Sequence, residues 1–356
     1  MPTMSDIAKR AGVSKSTVSY VLSGKRPISK EVKQDVLAAM KELGYEYINP
    51  LGRSLATKKS RTIALALPPL SPENDGLHLD LMWRAEFMIG ASEAAMQQGY
   101  SLLLWPPPKE DQDLLRMMRQ TAVDGLILMD IRLQDARVEL LKEHRYPFAM
   151  IGHCQNNDGL SFVDFDFADA MQTCVRYLAQ LGHQHMLFAY TIAPRGLQFG
   201  YATRAREAFE QTTASSGLQG TLLGCEPDTQ SCSRLLDDAL TSNPTVSAVI
   251  TADAWMIGTI MQVVADRGMK MPDDLSLVTV ASSHLAAITT PRLTTIDVPY
   301  AEMGRIGAEM IIRQLEGQSE PEQRLLKAGL TINQTAGPPP TRNRSVSYSA
   351  SARPRM

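Results

Sequence analysis

The residues best placed to do chemistry stand near the start of the chain. Lys15, Ser16, Ser19 and Tyr20 are spaced i, i+1, i+4 and i+5, which sets them on one side of a helix. All four can hydrogen-bond and none is acidic. Such a face suits nucleic acid, where phosphate contacts position a protein and base contacts specify sequence. Lys15 can donate to guanine O6 or N7. Residues 1–60 hold eleven Lys/Arg against five Asp/Glu, whereas the remainder holds 25 basic and 33 acidic residues. A basic end on an acidic body fits a polyanion-binding module. The plainer alternative is a three-helix bundle with a polar surface.

Other reactive residue types are sparse. Cys154, Cys174, Cys225 and Cys232 include no C-x-x-C pair and read as reduced, mostly buried thiols. His183-Gln184-His185 lacks a carboxylate or thiol at ligand spacing, so it reads as a loop entering a strand. No metal or cofactor is expected. The chain has no G-x-S-x-G elbow, no P-loop and no G-x-G-x-x-G, and Asp273-Asp274 after Pro272 looks like a turn. An enzyme is therefore disfavoured.

The elements that must position the polar face are legible around it. Thr3 and Asp6 form a capping-box-like start, and Met4, Ile7, Ala8 and Ala11 mark one apolar stripe. Gly12 can end that helix, and Ser14 can cap the next, whose buried stripe is Val18, Val21 and Leu22. Ser29 can cap a third helix carrying Val32, Val36, Ala39, Met40 and Leu43. Two short helices across a tight turn, braced by a third, make a helix-turn-helix over residues 1–48. Asn49-Pro50 then signals a short helix from Pro50 to Thr57, with Leu51 and Leu55 one turn apart and Lys58, Lys59 and Arg61 following. So few residues are marginal as a free helix.

From Thr62 apolar runs alternate with amphipathic stretches. The runs are Ile63–Leu67, Leu102–Leu104, Leu126–Met129, Phe148–Ile151, Phe162–Val163, Met186–Ala189, Ala248–Ile250 and Leu275–Val280. Helical patterns fill 81–98, 110–121, 167–181, 202–212 and 254–268. Alternating β and α units predict parallel sheets covered by helices. Ligands of such folds sit at strand C-terminal ends. Candidates there are Trp105, Asp130, His153, Asp166, Tyr190, Asp253 and Trp255. Residues 336–356 hold Pro338-Pro339-Pro340 and four arginines with no acid, which reads as a disordered basic tail. No run of about 20 apolar residues and no signal sequence is present, so a cytoplasmic protein with no membrane partner is expected.

The run Met4-Ser-Asp-Ile-Ala-Lys-Arg-Ala-Gly-Val-Ser-Lys-Ser-Thr-Val-Ser-Tyr-Val-Leu-Ser-Gly24 resembles the headpiece of the lactose/galactose repressor (LacI-type) family. The likeness continues through Val123-Asp-Gly-Leu-Ile-Leu128, Leu181-Gly-His183, Pro272-Asp-Asp-Leu-Ser276 and Pro291-Arg-Leu-Thr-Thr295, and covers roughly residues 3–335. It implies an all-α helix-turn-helix headpiece on an α/β periplasmic-binding-protein-like core of two lobes with parallel sheets. It implies base reading by Lys15, Ser16 and Tyr20, with Ser14, Thr17 and Ser19 contacting phosphates or capping. The hinge and linker become 49–61, where Asn49 starts the hinge helix, Leu55 wedges the minor groove, and Lys58 and Lys59 meet the backbone. The core becomes 62–335, with an N-lobe of about 62–160 and 290–317 and a C-lobe of about 161–289 and 318–335.

The chain also departs from that family. Tyr20 replaces a frequent Arg, Gly52 a frequent Ala, and the usual Tyr-x-Pro-Asn run becomes Tyr45-Glu46-Tyr47-Ile48-Asn49. Polar cleft positions become Tyr201, Ala281, Gly152-His153 and Pro69, and Tyr201 joins the effector candidates. These exchanges favour a larger ligand gripped by stacking. The expectation is a homodimeric repressor of carbohydrate-utilisation genes, binding double-stranded operator DNA and controlled by a neutral, sugar-like effector. A nucleobase-responsive or ligand-blind regulator of the same fold is the runner-up, and a stand-alone solute-binding protein leaves the headpiece unexplained.

Overall fold

A computed structural model describes residues 2–23, 26–45, 59–67, 77–106, 113–121, 123–192, 198–318 and 320–341. The headpiece comprises α1 (Met4–Arg10), α2 (Lys15–Ser23) and α3 (Lys30–Glu42). Thr3 and Asp6 form the capping box, with the Thr3 amide donating to the Asp6 carboxylate at 2.7 Å. Gly12, at φ 66°, makes the tight turn into α2. Ile7, Val18, Val36 and Met40 close a small separate core between the three helices.

The body contains two six-stranded sheets. The first holds β1 (Thr62–Ala66), β2 (Ser101–Trp105), β3 (Gly125–Leu128), β4 (Phe148–Ile151), β5 (Phe162–Phe165) and β11 (Gln323–Leu326), in the order β11-β5-β4-β3-β1-β2. The second holds β6 (His185–Thr191), β7 (Gln219–Cys225), β8 (Ala248–Thr251), β9 (Ser276–Ala281), β10 (Thr294–Asp297) and β12 (Leu330–Thr331), in the order β12-β10-β9-β8-β6-β7. All pairings are parallel except β10 with β12. The central strands are buried on both faces, which explains why they read as unbroken apolar runs.

The helices of the body are α4 (Leu77–Gln97), α5 (Asp113–Gln120), α6 (Ala136–Glu143), α7 (Phe167–Gln180), α8 (Gly200–Ser215), α9 (Thr229–Ser242), α10 (Ala254–Asp266), α11 (Ser283–Ile288) and α12 (Tyr300–Leu315). α4 and α12 approach to backbone contact because two crossing points lack a Cβ. One built on Gly90 would lie 1.9 Å from the Ala301 carbonyl oxygen, and one on Gly304 would lie 2.2 Å from that of Phe87.

Three boundaries differ from the sequence expectation. Residues 162–165 pair with β4, so the first sheet extends past residue 160. Residues 294–297 pair with β9 and belong to the second sheet, while 323–326 return to the first beside β5. Buried parallel strands look alike in either sheet, so only pairing reveals where the chain crosses. The tail also begins later than 336. Ala336 is buried, and the Gly337 carbonyl accepts from Ser276 Oγ at 3.0 Å and lies 2.9 Å from His183 Nε2. The basic stretch 342–356 lies outside the described residues.

Candidate functional site

Two sites emerge, one on the headpiece and one between the lobes. At the headpiece, Ser14 Oγ accepts the Thr17 amide at 3.0 Å and caps α2. It also pairs with the hydroxyls of Ser16 at 2.7 Å and Thr17 at 2.8 Å. The cap presents Lys15 and Ser16 to solvent at a positive helix end, with no acid in the first turn. Thr17, Ser19 and Tyr20 are half-buried, and Val18 points inward. The Arg26 guanidinium sits 5.1 Å from the centre of the Tyr20 ring. Sequence reasoning missed Arg26, which follows α2 in a loop and has no helical spacing to betray it. Asn49, Leu55 and Lys58 lie outside the described residues. Lys59 is described, and its Nζ donates to the Leu315 carbonyl at 2.8 Å.

The second site is a cavity of about 240 Å³ between the two sheets' carboxyl ends. Its N-lobe wall includes Trp83, Arg84 and Phe87 of α4, Asp130 after β3, and Asp164 of β5. Its C-lobe wall includes Phe167, Thr191, Tyr201, Asp253 and Trp255, and Tyr300 opens α12 beside them. The rings form two groups. Trp83, Phe87 and Tyr300 meet with centroids 5.1–5.9 Å apart, and Phe167 meets Tyr201 at 5.4 Å. The Arg84 guanidinium stacks 4.6 Å from the Trp83 ring centre.

The polar groups are held in place from behind. Asp164 accepts the Phe165 amide at 2.7 Å and lies 2.7 Å from His153 Nδ1. Asp253 accepts the Thr191 amide at 2.8 Å, and Trp255 Nε1 donates to the Thr191 hydroxyl at 3.0 Å. The lobes also touch through main chain. Leu133 N donates to the Gln198 carbonyl at 2.9 Å, and Gly200 N to that of Ile131 at 3.0 Å. Arg204 donates to the carbonyls of His153 at 3.2 Å and Cys154 at 2.9 Å. Aromatic faces with fixed carboxylates suit a hydroxylated ligand with an apolar side.

Of the effector candidates, Asp130, Tyr201, Asp253 and Trp255 lie in the cavity wall. The others lie outside its lining. Trp105 is 3% exposed and packs in a separate core with Leu114 and Met118 under α5. It ends β2, the outermost strand of the first sheet, and lines no part of the cavity. Tyr190 stacks on Phe188, 5.6 Å between centroids, and is absent from the cavity lining. Asp166 caps α7 by accepting the Asp169 amide at 2.9 Å, with Lys327 3.6 Å away. His153 stands one step back, behind Asp164. Sequence reasoning missed Trp83, Phe87 and Tyr300, although the first two are one helical turn apart. Among the departures from the family pattern, Gly152 lines the cavity at φ 103°, Ala281 is buried, and Pro69 lies outside the described residues.

The remaining reactive groups are structural. Among the described residues no cluster of three or more His, Cys, Asp or Glu gathers as a metal site. His183 and His185 are buried, and burial holds both below the usual imidazole range. All four cysteines are free and buried. Burial pushes the Cys154 thiol up to about 11 and that of Cys174 up to about 12, so neither is a nucleophile at neutral pH.

Known proteins share these features. Residues 3–46 match the family described as bacterial regulatory proteins, lacI family, and residues 175–335 match the periplasmic binding protein-like domain. The transcriptional regulator MalR of Staphylococcus xylosus is 27% identical over 322 residues, spanning 90% of this chain and 93% of that protein. The transcriptional repressor PurR of Klebsiella pneumoniae is 27% identical over 333 residues, spanning 91% and 93%. The lac repressor dimer bound to operator and an anti-inducer superposes with a TM-score of 0.76 at 21% identity, covering 94% of this chain and 99% of that one. The regulator CelR in complex with cellobiose superposes at 0.68 and 22%, covering 94% and 100%. At such identities the structural likeness speaks to the fold.

Proposed function

The chain belongs to the lacI family of bacterial regulatory proteins, and from that premise we propose that it represses carbohydrate-utilisation genes under the control of a sugar-like effector held between its lobes. The family places it among DNA-binding transcriptional regulators. The observation that carries the finer reading is the cavity itself, which combines aromatic faces from both lobes with buttressed Asp164 and Asp253. Two proteins of the same fold, a probable maltose operon repressor and CelR in complex with cellobiose, support the same ligand class. A nucleobase is the second reading, since flat rings also stack on Trp83 and Tyr300.

The reading extends to partners and place. Two copies bind a two-fold-related duplex, each with α2 in the major groove and Leu55 at the centre of the site. The protein works in the cytoplasm on its operator DNA. No described helix is long and apolar enough to cross a membrane. The domain plan is a headpiece to residue 48, a hinge and linker to 61, and the two lobes beyond.

The test is a ligand panel read by tryptophan fluorescence and by affinity for a duplex selected from a random pool. Mono- and oligosaccharides stand beside nucleobases and sugar phosphates. A sugar is expected to change both signals, and the fluorescence change should survive Trp105→Phe but fall with Trp83→Phe. Tight binding of a nucleobase with silence from every sugar refutes the carbohydrate reading, and silence from all compounds favours a ligand-blind regulator.

A further inference from the structure

The wall of the cavity between the lobes carries more negative charge than its one cation can offset. Three carboxylates line it, Asp130 and Asp164 from the first lobe and Asp253 from the second, against the single guanidinium of Arg84. Among the described residues no other Lys, Arg or His lines it. Asp164 has charged groups behind it. His153 Nδ1 lies 2.7 Å away, and Arg204, which donates to the His153 carbonyl at 3.2 Å, bears on the same acid. With Asp164 set aside, Asp130 and Asp253 still face Arg84. Asp253 stands at the start of α10, whose positive end supplies about half a unit charge. The Arg137 guanidinium donates to the Asp130 carbonyl at 2.7 Å, but its own charge is paired with Asp135. An excess of carboxylate remains on both sides of the cleft.

The backbone keeps Asp130 where it is. The residue follows β3 directly and sits at φ 51°, a left-handed conformation that a non-glycine residue keeps only when its surroundings over-determine it. Asp253 follows β8 in the other lobe, so each acid comes from the carboxyl end of a central strand. The rings point to the same ligand charge. Trp83, Phe87, Phe167, Tyr201, Trp255 and Tyr300 line the cavity, and an aromatic face attracts a cation. Trp83 already takes one, the Arg84 guanidinium at 4.6 Å. Acids and rings together favour a positive group in this space and oppose a negative one. A neutral sugar can donate hydroxyls to the carboxylates but leaves their charge unmatched, whereas an ammonium group supplies three donors and the charge.

We propose that the cavity takes an aminated sugar, its ammonium group held by Asp130 and Asp253 and its apolar face laid on the rings. This rests on the reading of the cavity as the site of a sugar-like effector and narrows the class of that effector. Phosphorylated and carboxylated sugars are excluded by the same charge.

The experiment titrates the full-length protein with matched ligands by calorimetry and tryptophan fluorescence, at about pH 6.5, where an amine of α-amino type is protonated. The probes are glucose, galactose, mannose and cellobiose, the amino counterpart of each, the N-acetylated form of each amine, and a sugar phosphate. At least one amine should bind at least about tenfold tighter than both of its neutral counterparts, the low end of what a hydrogen bond between charged groups contributes. Asp130→Asn and Asp253→Asn keep the size and an acceptor oxygen of each side chain. Each should remove most of that preference and leave the weaker binding of the neutral sugar in place. A neutral or N-acetylated sugar that binds as tightly as its amine overturns the proposal and leaves the sugar-like reading standing. Tight binding of the sugar phosphate overturns it as well. So do variants that lose amine and neutral sugar alike, because the acids then act only as acceptors. The comparison of matched ligands on the wild-type chain decides the matter even where a variant melts early. Silence from every sugar sinks the sugar-like reading itself, and the amine falls with it.

Discussion

Lys15 and Tyr20 differ in how firmly each is held, and that difference shapes what their loss should do. Lys15 is exposed at the capped start of α2, whereas Tyr20 is half-buried with Arg26 against its ring. Lys15→Ala and Tyr20→Ala should each shift sequence preference at one base step by about 1–3 kcal/mol, measured by base-by-base selection. Unchanged preference in Tyr20→Ala would mean that another side chain reads that step. A second residue-scale expectation concerns Asp135, whose side chain is fully buried. Burial alone would raise its pKa, but two bonds to the Arg137 guanidinium, at 2.9 and 2.7 Å, and the Arg132 amide outweigh this and hold it below the usual carboxylate range. A depressed folded pKa stabilises above the unfolded value of about 3.9, and the contribution is lost as pH falls through the folded one. Asp135→Asn should therefore cost about 3–5 kcal/mol at neutral pH, and the gap from wild type in urea unfolding should close below about pH 4. A gap independent of pH would show that the charge is not what matters. Single residues were legible where a local rule applied, as with the Ser14 cap. Trp105 was not, because a strand end is visible in the sequence but the place of that strand in the sheet, here the outer edge, is not.

At the scale of elements, periodicity carried most of the fold. Each apolar run from Ile63 to Val280 falls on a strand, and the central ones are buried on both faces, which leaves no polar alternation to confuse. β7, with residues such as Gln219 and Gly220, escaped because it lies at the sheet edge and is only half-covered. β11 escaped for the same reason, with Gln323 and Arg324 facing solvent. The seating of α4 on α12 was illegible too, since Gly90 and Gly304 look like any helical glycines until their neighbours are known. Their role makes a sharp prediction. Gly304→Ala drives a methyl into the Phe87 carbonyl, which cannot swing aside as a side chain could. Overpacking of this kind typically costs about 1–3 kcal/mol. Gly258→Ala on α10, with nothing within 4 Å of the added carbon, should be neutral or slightly stabilising. Thermal melting of the two variants side by side checks this, and equal melting temperatures would mean that the helix pair separates freely.

For the whole molecule, the crossings between lobes were the least legible feature, because strand pairing across more than a hundred residues has no local signal. What surface remains uncovered bears on assembly. β2 is the outer strand of the first sheet, and its Leu103 and Leu104 are 36% and 46% exposed. Ile89 and Met96, seven residues apart on the preceding α4, are 55% and 72% exposed. An open strand edge beside bare apolar side chains is a liability unless something covers it. A second copy is the fitting occupant, since each chain carries one reading helix and two-fold pairing would give each half-site its own. Lys59 and Arg61, bonded to the Leu315 carbonyl and to Asp124, lie at the opposite end of this lobe from the cavity, so pairing through this edge would bring two linkers toward one duplex. A stable dimer buries about 1,600 Å² in total, which these side chains anchor and do not fill alone. Leu104→Glu and Met96→Glu should each place a charge against the partner's apolar surface and shift the protein toward monomer in sedimentation, with Leu104→Glu the stronger because it also disfavours edge pairing. Both variants should keep the circular dichroism of the wild type, since neither side chain is buried within the protomer. Operator affinity should fall with dimer content and recover at high protein concentration, as mass action requires. Variants that remain dimeric at every concentration would move the interface elsewhere, and a wild-type monomer that grips an asymmetric site would end the two-fold reading.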